Sequence, residues 1–127
     1  MLAQLKVDFP EDIRIIYRHF PLAAIHDKAL LAAQAAEAAG LQDKFWEMHA
    51  FLYDNAAMWS EYSVAEFQAY LIENASTLEL DADQFEVDLT SQEIVAFAEN
   101  TWKLGQQIGL PGTPFFVIND NPYNGPL

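Results

Sequence analysis

The run Leu110-Pro111-Gly112-Thr113-Pro114 lies between a strongly amphipathic stretch and the continuous apolar run Phe115-Phe116-Val117-Ile118. Two prolines and a glycine within five residues cannot continue a helix. An apolar run of this length, bounded by turn signals, suits a strand buried on both faces. The segment therefore predicts a helix, a proline-containing turn and a short strand, in that order. It does so in a chain with no cysteine, so these 127 residues hold no disulfide, no thiolate zinc site and no cysteine nucleophile.

The chain is 52% hydrophobic, with nine Phe, five Tyr and three Trp, enough apolar material for one domain around a single core. Uninterrupted apolar stretches such as Leu30 to Ala33 fall far short of the roughly 20 residues a membrane span needs, so no membrane partner is expected. The first six residues carry no basic region followed by an apolar one, and no signal peptide is read in them. The net charge is −13, and after Lys44 the only base is Lys103. Such a surface repels phosphate backbones and anionic lipids, which argues against nucleic acid, and keeps the chain soluble.

Residues 1 to 8 place Leu2 and Leu5 at helical spacing and read as the tail of a helix, closed by Pro10-Glu11-Asp12. Residues 13 to 20 are β-branched and aromatic, and predict a strand. From His26 to Ala39 Ala and Leu predominate, with Gly40 placed to end the helix in a left-handed conformation. Leu41, Phe45, Met48, His49, Leu52 and Tyr53 then form a second apolar stripe, which predicts a helical hairpin. Ser63 with Glu66, Asp81 with Gln84, and Thr90 with Glu93 read as capping boxes, each a helix start. The last of these helices carries Ile94, Phe97, Ala98, Thr101, Leu104, Gly105 and Ile108 on one stripe and ends at Gly109. Asn119-Asp120-Asn121 reads as a turn, with a returning strand from Tyr123. A strand at each end of a helical block suggests an interrupted domain.

Four segments carry a resemblance. Ile16 to Leu22, the Ala-rich helix ending Ala36-Glu37-Ala38-Ala39-Gly40, Lys44-Phe45-Trp46-Glu47-Met48-His49, and Gly109 to Ile118 occur in the order and intervals of the DsbA-like branch of the thioredoxin superfamily. The chain is similar to that branch over nearly its whole length. The resemblance implies an α/β thioredoxin-like fold of DsbA type, a single domain over 1–127. Residues 1–25 and 90–127 would be thioredoxin core and 26–89 an all-helical insertion. It implies a cis peptide before Pro114, with Thr113 and Pro114 binding an extended substrate segment by strand addition. The implied activity is dithiol-disulfide exchange with protein or peptide thiols and disulfides, without a separate cofactor, at an extracytoplasmic location.

The departure from the family is chemical. Its Cys-x-x-Cys pair sits at the N-terminus of the first helix, where the helix dipole and free amides favour a thiolate. Residues 1 to 8 correspond to the far end of that helix, so the chain is read as a fragment, inactive in this chemistry and without catalytic residues. The family's first strand would lie between residues 13–19 and 115–118, so the two strands are expected either to pair directly or to recruit a second chain. Two alternatives stay open: a glutathione-dependent kappa-type transferase or isomerase of the same fold, and a non-catalytic helical binding module.

The remaining candidates point to structure. His19, His26 and His49 occur without a metal-ligand spacing, and His49 shares a stripe with Phe45 and Leu52. Trp46, Trp59 and Trp102 could line a groove, but their large apolar area fits core packing better. Ser60 and Ser91 have no paired base at a recognisable spacing.

Overall fold

Helix propensity and side-chain caps determine most of the architecture. The computed structural model describes residues 2–123 and 125, and shows α1 (Leu2–Asp8), α2 (Ala29–Gly40), α3 (Phe45–Asp54), α4 (Ala56–Trp59), α5 (Val64–Asn74), α6 (Ala82–Leu89) and α7 (Gln92–Gln107). A 3-10 turn, Ala75–Leu78, links α5 to α6, and β1 (Phe116–Ile118) and β2 (Asn121–Tyr123) follow α7.

α2 is the hub. Leu31, Ala33, Gln34, Ala35, Ala36, Ala38 and Ala39 are all buried, so the helix is covered on nearly every side. Its small side chains let α3, α5, α6 and α7 approach closely, and α2 with α3 forms the expected hairpin. The larger groups that fill the space around it are Met48 of α3, Phe67 and Leu71 of α5, and Phe85 and Leu89 of α6, each fully buried. Each such side chain contributes about 1.5–3 kcal/mol relative to leaving it in water. Trp59 stacks on Phe67 at 4.6 Å between ring centroids, and its indole N–H donates to the Leu52 carbonyl at 2.8 Å. It is a core residue.

The caps act locally and are found close to where the residues predict them. Ser63 Oγ accepts from the Glu66 N–H while the Glu66 carboxylate accepts from the Ser63 N–H, closing the reciprocal box. Asp81 accepts from the Gln84 N–H. The third start is shifted by one residue: Ser91, not Thr90, caps α7 by accepting from the Ile94 N–H at 3.3 Å. Thr90 instead ends α6, so Glu93 falls too early in α7 to close a box.

Gly40 is the last helical residue of α2 rather than a left-handed one. The chain turns at Asp43, with φ 61°, and the Lys44 N–H reaches back to the Ala39 carbonyl at 2.9 Å. The bare Cα of Gly40 faces Phe45: a Cβ there would lie 3.5 Å from the Phe45 Cβ.

Residues 13 to 20 are extended but are not a strand. Ile15, Tyr17 and His19 turn inward while Arg14, Ile16 and Arg18 are exposed, which is the alternation of a strand. Among the described residues, however, residues 14–20 neither donate nor accept a backbone hydrogen bond to backbone. A strand is defined by its partner, and this strap has none here. It does not pair with β1, which rules out direct pairing of the two segments.

β1 pairs with β2 antiparallel, with Phe116 opposite Tyr123 and Ile118 opposite Asn121. Asn119 (φ 47°) and Asp120 (φ 65°) supply the two positive φ angles that a type I′ hairpin turn requires. The turn is thus two residues long, and β2 starts at Asn121 rather than Tyr123; its expected continuation past Tyr123 falls largely outside the described residues. β1 is not buried on both faces: Val117 and Ile118 are more than half exposed, because β2 is its only described neighbour.

Candidate functional site

The end of α7 sets the geometry of the proline turn. Gly109 takes φ 72°, its N–H bonds to the Gln106 carbonyl and the Leu110 N–H to Gly105, both at 3.0 Å, so the helix closes with its last carbonyls satisfied. Gly112 follows at φ 154°, a conformation side chains rarely adopt. The Thr113-Pro114 peptide is cis, and the chain then enters β1.

Thr113 and Pro114 are both exposed, and among the described residues the Thr113 backbone makes no hydrogen bond to other backbone. The apolar side chains that follow are exposed, Phe115 and Val117 two positions apart on one side of the chain and Ile118 on the other. An exposed turn with free backbone groups next to apolar side chains can receive an extended chain, whose main chain supplies hydrogen bonds while its side chains meet Phe115 and Val117.

The strap and the proline turn converge on α7. Gly105 is buried, and a Cβ at that position would lie 2.5 Å from Cδ2 of Phe20 and 3.2 Å from Cδ1 of Leu110. Phe20 therefore packs directly on the last turn of α7, beside the residue that begins the proline turn. Nothing local in the sequence joins Phe20 to Gly105, and only the fold brings them together.

A second group of functional side chains forms where the strap crosses α2 and α3. His19 Nε2 lies 2.9 Å from the Glu37 carboxylate, with the imidazole 8% exposed. The Tyr17 ring touches both imidazoles, at 5.2 Å from His19 and 4.8 Å from His49, and its hydroxyl meets that of Tyr53 at 3.5 Å. Phe45 and Trp46 complete the cluster, with the Lys6 ammonium 4.2 Å from the Trp46 ring. Burial, reinforced by the Tyr53 hydroxyl, raises the Tyr17 phenol well above its ordinary range. Burial, and secondarily the charge of His19, hold the His49 imidazole below its usual value.

His19 and His49 were expected as separate packed residues, and they belong to one cluster. Their two elements are far apart in sequence, and the signal that links them is the alternation of Tyr17 and His19 in an extended segment facing Phe45 and His49 one helical turn apart. His26 is exposed and outside the cluster. Trp102 is half-buried on α7, Ser60 donates to the Ala57 carbonyl, and Ser91 is the α7 cap. Among the described residues no group of three or more His, Cys, Asp or Glu is placed to hold a metal ion, and no helix is long and apolar enough to cross a membrane.

A family model described as thioredoxin matches residues 4–127. The chain belongs to the thioredoxin family. This thioredoxin-family domain is a mixed α/β unit, mostly helical, with two strands among its described residues, and its family is of the thiol-disulfide oxidoreductase type. Its similar curated proteins carry other names. A Na(+)/H(+) antiporter NhaA 3 of Salinispora tropica is 34% identical over 123 residues, which is 97% of this chain and 18% of that protein. A Na(+)/H(+) antiporter NhaA 1 of Salinispora arenicola is 37% identical over 123 residues, 96% of this chain and 18% of that protein. A Na(+)/H(+) antiporter NhaA 1 of Mycolicibacterium vanbaalenii is 30% identical over 127 residues, 97% of this chain and 19% of that protein. The thioredoxin-family chain thus spans less than a fifth of the length of these relatives. No solved structure matches it significantly.

Proposed function

We propose that this chain is the substrate-binding part of a thiol-disulfide oxidoreductase of DsbA-like organisation. Residues 1–25 and 90–127 serve as the thioredoxin core, and residues 26–89 are a helical insertion. The observation that carries the reading is the exposed Thr113-Pro114 turn, with its free Thr113 backbone, at the exit of α7 in a thioredoxin-family chain. An extended substrate segment aligns along Thr113 by strand addition, its apolar side chains meeting Phe115 and Val117.

These residues bind and orient but do not exchange electrons, because no side chain here is a thiol. On this reading the nucleophile is a cysteine thiolate outside residues 1–127. It attacks one sulfur of the disulfide partner, forms a mixed disulfide and releases the other sulfur as a thiolate; a second thiolate then resolves the mixed disulfide. The substrates are protein or peptide thiols and disulfides, at an extracytoplasmic site. The acidic surface disfavours nucleic acid.

The relatives' names favour a second reading compatible with the first. The domain would be one part of a polypeptide that also contains a Na(+)/H(+) antiporter, since it corresponds to under a fifth of such proteins.

The test is to express the complete open reading frame that encodes this sequence and to assay reduction of insulin disulfides by dithiothreitol alongside the 127-residue chain. Turnover by the complete protein and none by the chain is expected. A complete protein that neither turns over disulfides nor binds peptide would overturn the reading.

A further inference from the structure

We propose that the cluster of Tyr17, His19, Glu37, His49 and Tyr53 is a proton-operated latch, which holds the strap of residues 13–20 on α2 and α3 at neutral pH and releases it on acidification. This inference is independent of disulfide chemistry and of the turn at Pro114.

The strap is held by side chains alone. Among the described residues, 14–20 make no backbone hydrogen bond to backbone, and Arg14 and Arg18 form no ion pair. Its attachments are the packing of Tyr17 and His19 against α2 and α3 and of Phe20 against Gly105 of α7. Of the strap's half-buried side chains Ile15, Tyr17, His19 and Phe20, two therefore belong to one titratable cluster.

The cluster contains one carboxylate for two imidazoles. From α2, Glu37 faces His19 at 2.9 Å. From α3, His49 is surrounded by Trp46 at 5.3 Å and Tyr53 at 4.8 Å, and from the strap by Tyr17 at 4.8 Å. From α1, the Lys6 ammonium lies over the Trp46 ring at 4.2 Å. A proton on His19 is matched by Glu37. Among the described residues, a proton on His49 has no carboxylate within ion-pair distance; it stands among aromatic rings and one helical turn from Trp46, over which the Lys6 ammonium lies. Like charges in a partly dry site repel, and a buried charge without a partner is costly. The least expensive relief is for the strap, which has no backbone bonds to α2 or α3 to lose, to lift off and let water reach both imidazoles.

The chain's lack of cysteine makes the test direct, because single labels can be placed at will. Spin labels at Ile16→Cys on the outer face of the strap and Ala50→Cys on the exposed side of α3 report the strap distance by double electron-electron resonance. The proposal expects one narrow distance at pH 7.5 and a broader, longer distribution at pH 5.0. His49→Gln should stay narrow at both values, while far-UV circular dichroism shows the helices retained throughout. Histidine NMR titration of the wild-type chain supplies a readout that needs no variant: the His49 resonances must titrate over the same pH interval in which the distance changes. An unchanged wild-type distance while His49 titrates overturns the latch. A His49→Gln chain that opens as the wild type does overturns the assignment to His49, and loss of the helices together with the strap means acid unfolding rather than release.

Discussion

Gly105 gives the sharpest prediction, because two effects of known sign compete there. Replacing a helical glycine by alanine ordinarily stabilises by about 1 kcal/mol, since alanine has the better helix propensity and restricts the unfolded chain. At Gly105 the new Cβ would lie 2.5 and 2.6 Å from two ring carbons of Phe20, well inside van der Waals contact. Forcing a methyl into packed space costs about 1–3 kcal/mol. Gly105→Ala should therefore destabilise by up to about 2 kcal/mol net. In a Phe20→Ala background only the flexible Leu110 Cδ1, 3.2 Å from the new Cβ, has to give, and the same substitution should stabilise by up to about 1 kcal/mol. Urea unfolding of the four chains of the cycle, followed at 222 nm, gives a coupling energy of at least about 1 kcal/mol if Phe20 sits on α7. A coupling near zero, with Gly105→Ala stabilising in both backgrounds, would refute the docking of the strap end on the last turn of α7.

Other expectations follow from the core, the caps and the histidine cluster. Phe85→Ala removes a fully buried ring of α6 and should cost about 3–5 kcal/mol in urea unfolding. Ser91→Ala should cost about 1 kcal/mol by removing the α7 cap, and Thr90→Ala clearly less, a ranking opposite to that of a Thr90 box. Because His49 is held below the ordinary imidazole value, the unfolded chain binds more protons than the folded one once pH falls below about 6.5. Stability should therefore be full above that value and decline toward pH 5 in thermal scans, with a flatter profile in His49→Gln.

What could be read in the sequence was local. The Ser63 box and the proline turn each depend on residues a few positions apart, and the folded chain places them where the residues predict; of the α7 stripe, Ile94, Ala98 and Gly105 are buried while Phe97, Leu104 and Ile108 are exposed. The exchange of Thr90 for Ser91 came from two adjacent residues able to cap, with the acidic residue three positions after the wrong one. The strap was legible as an extended, alternating segment but not as an unpaired one, because strand identity belongs to a pair of segments. Gly40 looked like a helix terminator, yet it is the last helical residue of α2, and the left-handed position falls to Asp43. The histidine cluster was hidden for the same reason as the strap: it joins an extended period of two to a helical period near four, and only the packing of residues 13–20 across α2 and α3 brings the two together. The proline turn was legible because Gly112, Thr113 and Pro114 are consecutive, while its reading as a substrate site rests on the family resemblance.

The central claim is that Thr113 and its neighbours receive an extended peptide, and the most direct measurement is an amide NMR titration of the uniformly labelled 127-residue chain with a capped, extended apolar peptide. Shift changes that saturate and centre on Gly112, Thr113 and Phe115 are predicted. Changes centred on another face, or none at millimolar peptide, would contradict it.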